Sequence, residues 1–138
     1  MQLTYTLGEL PAVAARILAG GGRVFALTGD LGAGKTTLVA ELCRQLGVTE
    51  PVSSPTYGIV NVYDGTAGEI YHLDCYRLAD TGEALDAGLE EVLGADAGAV
   101  FVEWPEVIEP LLPADVVFLR LGHDPQGRGR RHLTITPA

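Results

Sequence analysis

The sequence predicts an α/β fold, with a mainly parallel central sheet between helices and an antiparallel hairpin portion. Three observations carry this reading. Apolar runs at 23–29, 99–104 and 115–121 alternate with stretches whose apolar residues recur at helical spacing. Residues 59–64 alternate, meet Gly65 and lead into 69–76, the pattern of two strands joined by a turn. A glycine-rich stretch sits between the first of the buried runs and the helix after it. The 138 residues, 47% hydrophobic and 20% charged, have a globular composition and fit a single domain over 1–138.

Each element has a local reason. Residues 7–21 place apolar side chains at helical spacing and end in glycines suited to a C-cap. Residues 23–29 read as a buried strand, and 35–47 as a helix closed by Gly47. Residues 48–58 form a loop rich in Ser, Pro and Thr. A second helix is expected over 82–93, with Asp80 or Thr81 as its N-cap. Residues 99–104 are another buried strand, and 105–113 a short helical connection broken by Pro110 and Pro113. Residues 115–121 and 131–136 are closing strands.

The net charge of −9 disfavours direct, sequence-independent binding to nucleic acid, which depends on Lys and Arg neutralising phosphates. The basic cluster at 127–132 reads as a solvated turn before the last strand, with a phosphate-binding tail as the alternative. Cys43 and Cys75 are far apart and read as reduced core thiols of a cytoplasmic protein. The N-terminus has no secretory pattern, and no apolar stretch approaches the ~20 residues of a membrane span.

The stretch GDLGAGKTT, residues 29–37, holds the full pattern Gly29-x-x-x-x-Gly34-Lys35-Thr36 between strand and helix. Glycines let backbone N–H groups turn inward as a nest for phosphate oxygens, and the helix adds its positive end. Gly29, Asp30, Leu31, Gly32, Ala33 and Gly34 are therefore the expected cradle of ATP or ADP. Lys35 is expected on the β- and γ-phosphates, the Thr36 hydroxyl on Mg²⁺ and Thr37 near the α-phosphate. Lys35 is also the only lysine in the chain, so the one ammonium sits where a triphosphate needs it. This context makes the fold class a P-loop NTPase-like three-layer sandwich.

Asp74 and Glu103 end two strands separated by one expected helix, so both acids lie at the carboxyl edge of the sheet, where the loop also emerges. They are the expected pair for the metal and the attacking water, in roles that spacing leaves open. Residues 53–56, SSPT, have the makings of a switch that senses the γ-phosphate or Mg²⁺. No guanine-reading N-K-x-D or T-K-x-D follows, and no arginine-rich lid is visible. Arg77 and Arg44 are the arginines nearest to hand, and a partner is another source of positive charge.

Four segments together resemble the TsaE (YjeE) family, small bacterial ATPases of tRNA threonylcarbamoyladenosine synthesis: residues 29–37, 53–57, 71–78 (YHLDCYRL) and 102–106 (VEWPE). The resemblance implies nucleotide and metal anchors at Lys35 and Thr36, and an acidic active-site pair at Asp74 and Glu103. It also implies a switch-like loop at Ser54, Pro55 and Thr56, and a Trp104 near the nucleotide. His72 and Tyr76 belong to the same motif; His72 on its own reads as a satisfied strand-end histidine. Cys75 stands where an aliphatic residue is expected. The implied partners are TsaD and TsaB, which transfer threonylcarbamoyl to adenosine 37 of tRNA, with tRNA reached only through that complex and no membrane involved. The expected function is an ATP-hydrolysing accessory factor of that cycle, not the transferase. A small-molecule kinase, whose ATP turnover would need an added acceptor, and a nucleotide-sensing regulatory module, with negligible hydrolysis, are the alternatives.

Overall fold

The computed structural model describes residues 1–30, 32–55, 59–94, 96–126 and 129–137. Its strands are β1 (Gln2–Tyr5), β2 (Val24–Thr28), β3 (Val60–Gly65), β4 (Gly68–Asp74), β5 (Ala99–Glu103), β6 (Val117–His123) and β7 (Arg131–Thr136). Its α-helices are α1 (Leu10–Ala19), α2 (Lys35–Gln45), α3 (Thr81–Asp86) and α4 (Leu89–Gly94), with 3-10 helices at Leu7–Glu9 and Pro105–Leu111. The strands form one sheet in the order β1-β7-β6-β2-β5-β4-β3. The central four, β4-β5-β2-β6, are parallel. Antiparallel β3 flanks them on one side and antiparallel β7 on the other, with β1 at the edge antiparallel to β7.

Period-two alternation assigns each face. On β2 and β5, Phe25, Leu27 and Phe101 pack against Val13 and Ile17 of α1 and Leu38 and Leu42 of α2. The intervening Val24, Ala26, Val100 and Val102 pack against Ala84, Leu89, Leu93 and Ile108 on the opposite face. Sheet residues are thus buried on both sides, which is why β2 and β5 read as continuous apolar runs. Phe25 and Phe101 stack at 5.4 Å between centroids, and each fully buried side chain of this size contributes about 1.5–3 kcal/mol relative to exposure.

Several local outcomes differ from the sequence reading. β1 has no counterpart in it; four residues with little alternation become a strand because β7 offers them a ladder, from Gln2 opposite Thr134 to Tyr5 opposite Arg131. The helix expected from residue 7 starts as a 3-10 turn, where the Glu9 carboxylate accepts from the Thr6 amide at 2.9 Å and its hydroxyl at 3.0 Å. The helix expected over 82–93 is two, because Gly88 turns left-handed (φ +78°) between α3 and α4. Pro110 does not break its segment: the 3-10 helix runs through it, since proline's fixed φ suits that backbone, and ends at Leu112, extended before Pro113. Asp80, not Thr81, caps α3, its Oδ1 accepting from the Glu83 amide at 2.8 Å.

Cys43 and Cys75 are buried free thiols. Burial pushes both up to about 12. Among the described residues no helix is long and apolar enough to cross a membrane.

Candidate nucleotide site

The cradle is built from backbone that only glycine adopts easily. Gly29, Gly32 and Gly34 have φ of +142°, +79° and +98°. At Gly29 the need is also steric, since a Cβ there would lie 2.4 Å from the Leu121 carbonyl oxygen. The Ala33 amide donates to the Asp30 carbonyl at 3.0 Å, which closes the turn, and the Ala33 side chain is buried in the core. Leu31 lies outside the described residues.

Gly34 hands the chain directly into α2 at Lys35. The Lys35 side chain is only 5% exposed, its ammonium donating to the Gly29 carbonyl and standing 3.7 Å from the centroid of the Trp104 ring. Burial lowers its pKa below the ordinary lysine value, and the negative charges of Glu103, Glu106, Asp74 and Asp30 pull the other way. Trp104 holds its position through strain: it is the one non-glycine residue with positive φ among those described, at φ 55° and ψ 59°. That turn swings its ring over Lys35 and against Tyr76, 4.9 Å between centroids.

Thr36 meets the strand-end acids across the loop. Its Oγ1 lies 2.8 Å from Ser54 Oγ and 3.1 Å from each carboxylate oxygen of Glu103. Ser54 Oγ stands 3.3 Å from Glu103 Oε2. His72 Nε2 contacts the same oxygen at 2.5 Å, with His72 fully buried and Glu103 3% exposed. His72 Nδ1 has no hydrogen-bond partner among the described residues.

The register brings these groups together. Asp74 and Glu103 are lateral partners on parallel β4 and β5. Ile70 and Phe101 face α1 and α2, so His72, Asp74 and Glu103, at even spacing from them, face the same way. The two acids differ, however. Glu103 bonds to Thr36, whereas Asp74 Oδ1 accepts from the Tyr76 amide at 3.0 Å and pins its own turn.

These groups line a cavity of about 290 Å³, with Gly32, Gly34, Lys35, Thr36 and Thr37 on one wall and Ser54, Asp74, Glu103 and Trp104 on the other. The Ser-Pro loop is tied to β3, since the Ser53 carbonyl accepts from Asn61 Nδ2 at 3.0 Å and the Tyr63 hydroxyl at 3.2 Å. Thr56 lies outside the described residues.

His72, read as a satisfied strand-end histidine, is held at Nε2 by the Glu103 carboxylate; its two-residue spacing from Asp74 on one strand is the signal in the sequence for that partner. Two other placements depart from expectation. Arg44 does not approach the cavity: it pairs with Glu41 at 2.6 Å along the exposed side of α2, whereas Arg77 borders a neighbouring hollow with Pro55, Asp74 and Tyr76. The basic cluster is more than a solvated turn. Gly127 and Arg128 lie outside the described residues, but Arg131, at the head of β7, lines the cavity.

The model of the family "Threonylcarbamoyl adenosine biosynthesis protein TsaE" matches residues 4–132. The chain is 40% identical over 118 residues to the "tRNA threonylcarbamoyladenosine biosynthesis protein TsaE" of Bacillus subtilis, covering 83% of this chain and 70% of that protein. It is 41% identical over 119 residues to the protein of the same name from a Nostoc species, covering 84% and 71%. The crystal structure of Bacillus subtilis YdiB superposes with a TM-score of 0.76 at 32% identity, covering 99% of this chain and 86% of that one.

Proposed function

The chain belongs to the TsaE family of threonylcarbamoyl adenosine biosynthesis proteins, and on that premise we propose that it is a Mg²⁺-dependent ATPase. In this reading it supports the catalytic cycle of a TsaB–TsaD complex that modifies adenosine 37 of tRNA. It is not itself the threonylcarbamoyl transferase. It works in the cytoplasm and meets tRNA only through the complex, in keeping with a net charge of −9.

The single observation that carries the reading is the meeting of Thr36, Ser54 and Glu103 beside the buried ammonium of Lys35. The residues fit the groups they are asked to hold. The glycine backbone leaves room for phosphate oxygens where side chains would intrude, and a hydroxyl and a carboxylate already within hydrogen-bond reach are oxygen donors of the kind Mg²⁺ takes. Thr36, with Glu103 beside it, would hold Mg²⁺, which neutralises charge on the β- and γ-phosphates.

The protein's own contribution is placement. Lys35 exchanges the Gly29 carbonyl for phosphate oxygens as the nucleotide enters, and offsets the charge that gathers on the leaving ADP. His72 fixes the Glu103 carboxylate at Oε2, with both carboxylate oxygens within reach of the Thr36 hydroxyl. Asp74, held by the Tyr76 amide at the cavity wall, orients a water for in-line attack on the γ-phosphorus. The water oxygen bonds to phosphorus, the bond to the β–γ bridging oxygen breaks, and ADP and inorganic phosphate leave with the water proton released to solvent.

The test is ATP hydrolysis measured with and without the cognate TsaB–TsaD complex, with Lys35→Ala and Glu103→Ala as controls. Turnover is expected to depend on the complex and to vanish in both variants. Unchanged turnover on adding the complex, together with no detectable binding to it, would overturn the accessory-factor reading. A phosphorylated metabolite formed in cell extract would point instead to a kinase.

A further inference from the structure

A small hollow of about 120 Å³ is lined by Pro55, Asp74, Tyr76 and Arg77. Asp74 also lines the nucleotide cavity, so the two meet at its carboxylate. One wall of the hollow comes from a tight turn after β4. Cys75 and Leu78 are buried in the core, and the Leu78 amide donates to the Cys75 carbonyl at 3.1 Å. Tyr76 and Arg77, between those two anchors, are exposed. The other wall is Pro55, next to Ser54, whose hydroxyl stands at Thr36 and Glu103.

Arg77 stands out by charge. It is the only Lys or Arg between Arg44 and Arg120, a stretch that carries most of the chain's 18 acids. Even so, it has no hydrogen-bond or ion-pair partner among the described residues. A guanidinium is a fork of donors that matches phosphate oxygens. This one is left open beside Asp74, at the end of the site where the γ-phosphate is cut from ADP in the proposed reaction. We infer that the hollow holds inorganic phosphate, the second product, before it leaves. Arg77 donates to the unprotonated phosphate oxygens, and Asp74 accepts from the phosphate hydroxyl. The inference rests on the hydrolysis reading above.

One cation paired with one carboxylate selects the ligand. Hydrogen phosphate carries both acceptor oxygens and a hydroxyl donor. A side-chain carboxylate or a nucleic-acid phosphodiester carries acceptors alone, and would set bare negative charge against Asp74. Size agrees with the chemistry. At roughly 30 Å³ of liquid volume per water, the hollow has room for one tetrahedral anion, and it is well short of the roughly 300 Å³ at which sites for larger molecules usually begin. The Tyr76 ring on its wall packs on Trp104, which covers Lys35, so phosphate held there touches the same group of side chains that meets the nucleotide. A chain that retains phosphate separates bond cleavage from phosphate departure as two steps.

The experiment is a calorimetric titration of inorganic phosphate into the full chain saturated with Mg–ADP, as wild type, Arg77→Ala and Arg16→Ala. Both arginines are exposed, so neither substitution disturbs the core, which circular dichroism checks. Arg16→Ala removes one positive charge from α1, away from the hollow. Phosphate is expected to bind the ADP complexes of the wild type and Arg16→Ala within about twofold of each other, and that of Arg77→Ala about tenfold more weakly. ADP affinity without phosphate should agree within about twofold among all three. Phosphate that displaces ADP, that does not bind the wild-type ADP complex, or that binds Arg77→Ala as tightly as the wild type would overturn the assignment. Failure of the wild type to bind Mg–ADP would instead overturn the nucleotide reading on which it rests.

Discussion

Replacing Gly29 and Gly32 by alanine, one at a time, separates two reasons for glycine in the cradle. Both have positive φ, +142° and +79°, so each alanine carries the backbone strain of a left-handed residue, about 1–2 kcal/mol. At Gly32 that is the whole cost, because a Cβ there meets nothing within 4 Å. At Gly29 the Cβ would lie 2.4 Å from the Leu121 carbonyl oxygen and 3.4 Å from the Ala33 side chain. That oxygen is backbone on β6, which pairs with β2 on one side and β7 on the other, so relief requires strands to move. A backbone clash inside a packed sheet belongs with the largest single-substitution effects, about 4 kcal/mol or more. Urea denaturation followed by circular dichroism reads both values, without nucleotide. Gly29→Ala is expected to cost at least ~2 kcal/mol more than Gly32→Ala. Two variants within ~0.5 kcal/mol of each other would refute the steric argument and leave strain alone as the reason for both glycines.

Four further outcomes are expected. Glu103→Gln keeps the shape of the side chain and removes the charge that would help Thr36 hold Mg²⁺, so ADP should still bind while single-turnover phosphate release falls about 100-fold, the scale of losing one group that stabilises charge in the transition state. Trp104 is the chain's one tryptophan and covers the Lys35 ammonium, so titration with Mg–ADP should change its emission, and Lys35→Ala should abolish the change. Cys43 and Cys75, pushed up to about 12 by burial, should resist iodoacetamide at pH 8 until the chain unfolds. The same shift has a sign for stability: the unfolded thiols lose protons from about pH 9, the folded ones hold theirs until about 12, so stability falls as pH rises across that interval. Urea midpoints for the Cys43→Ala, Cys75→Ala pair should fall less steeply there than those of the wild type.

Most of the helix and strand order, the glycine turn that leads into α2 and the two strand-end acids were legible because each is a local pattern. Burial on both faces makes β2 and β5 continuous apolar runs, and the loop needs its glycines and Lys35 within a span of nine residues, 29–37. β1 was not legible, because its hydrogen bonds come from β7, more than a hundred residues on. The single helix expected over 82–93 failed at Gly88, where a left-handed residue outweighed the amphipathic pattern on either side.

In the candidate site the division is sharper. Spacing puts Asp74 and Glu103 on one edge, but the register of β4 against β5 makes them lateral neighbours and sets His72 behind Glu103. Their different bonding, one to Thr36 and one to its own turn, depends on where the loop carries α2. Arg131 is plainer still. In sequence it is one arginine in a basic run ahead of a strand; beside Gly34 and opposite Tyr5 it lines the same cavity as Lys35, Thr36 and Glu103. Chemistry confined to a few consecutive residues is written along the chain. Chemistry assembled from strand neighbours exists only once the ladder sets which residues face one another, because side chains a few ångströms apart there are separated by tens of residues in sequence.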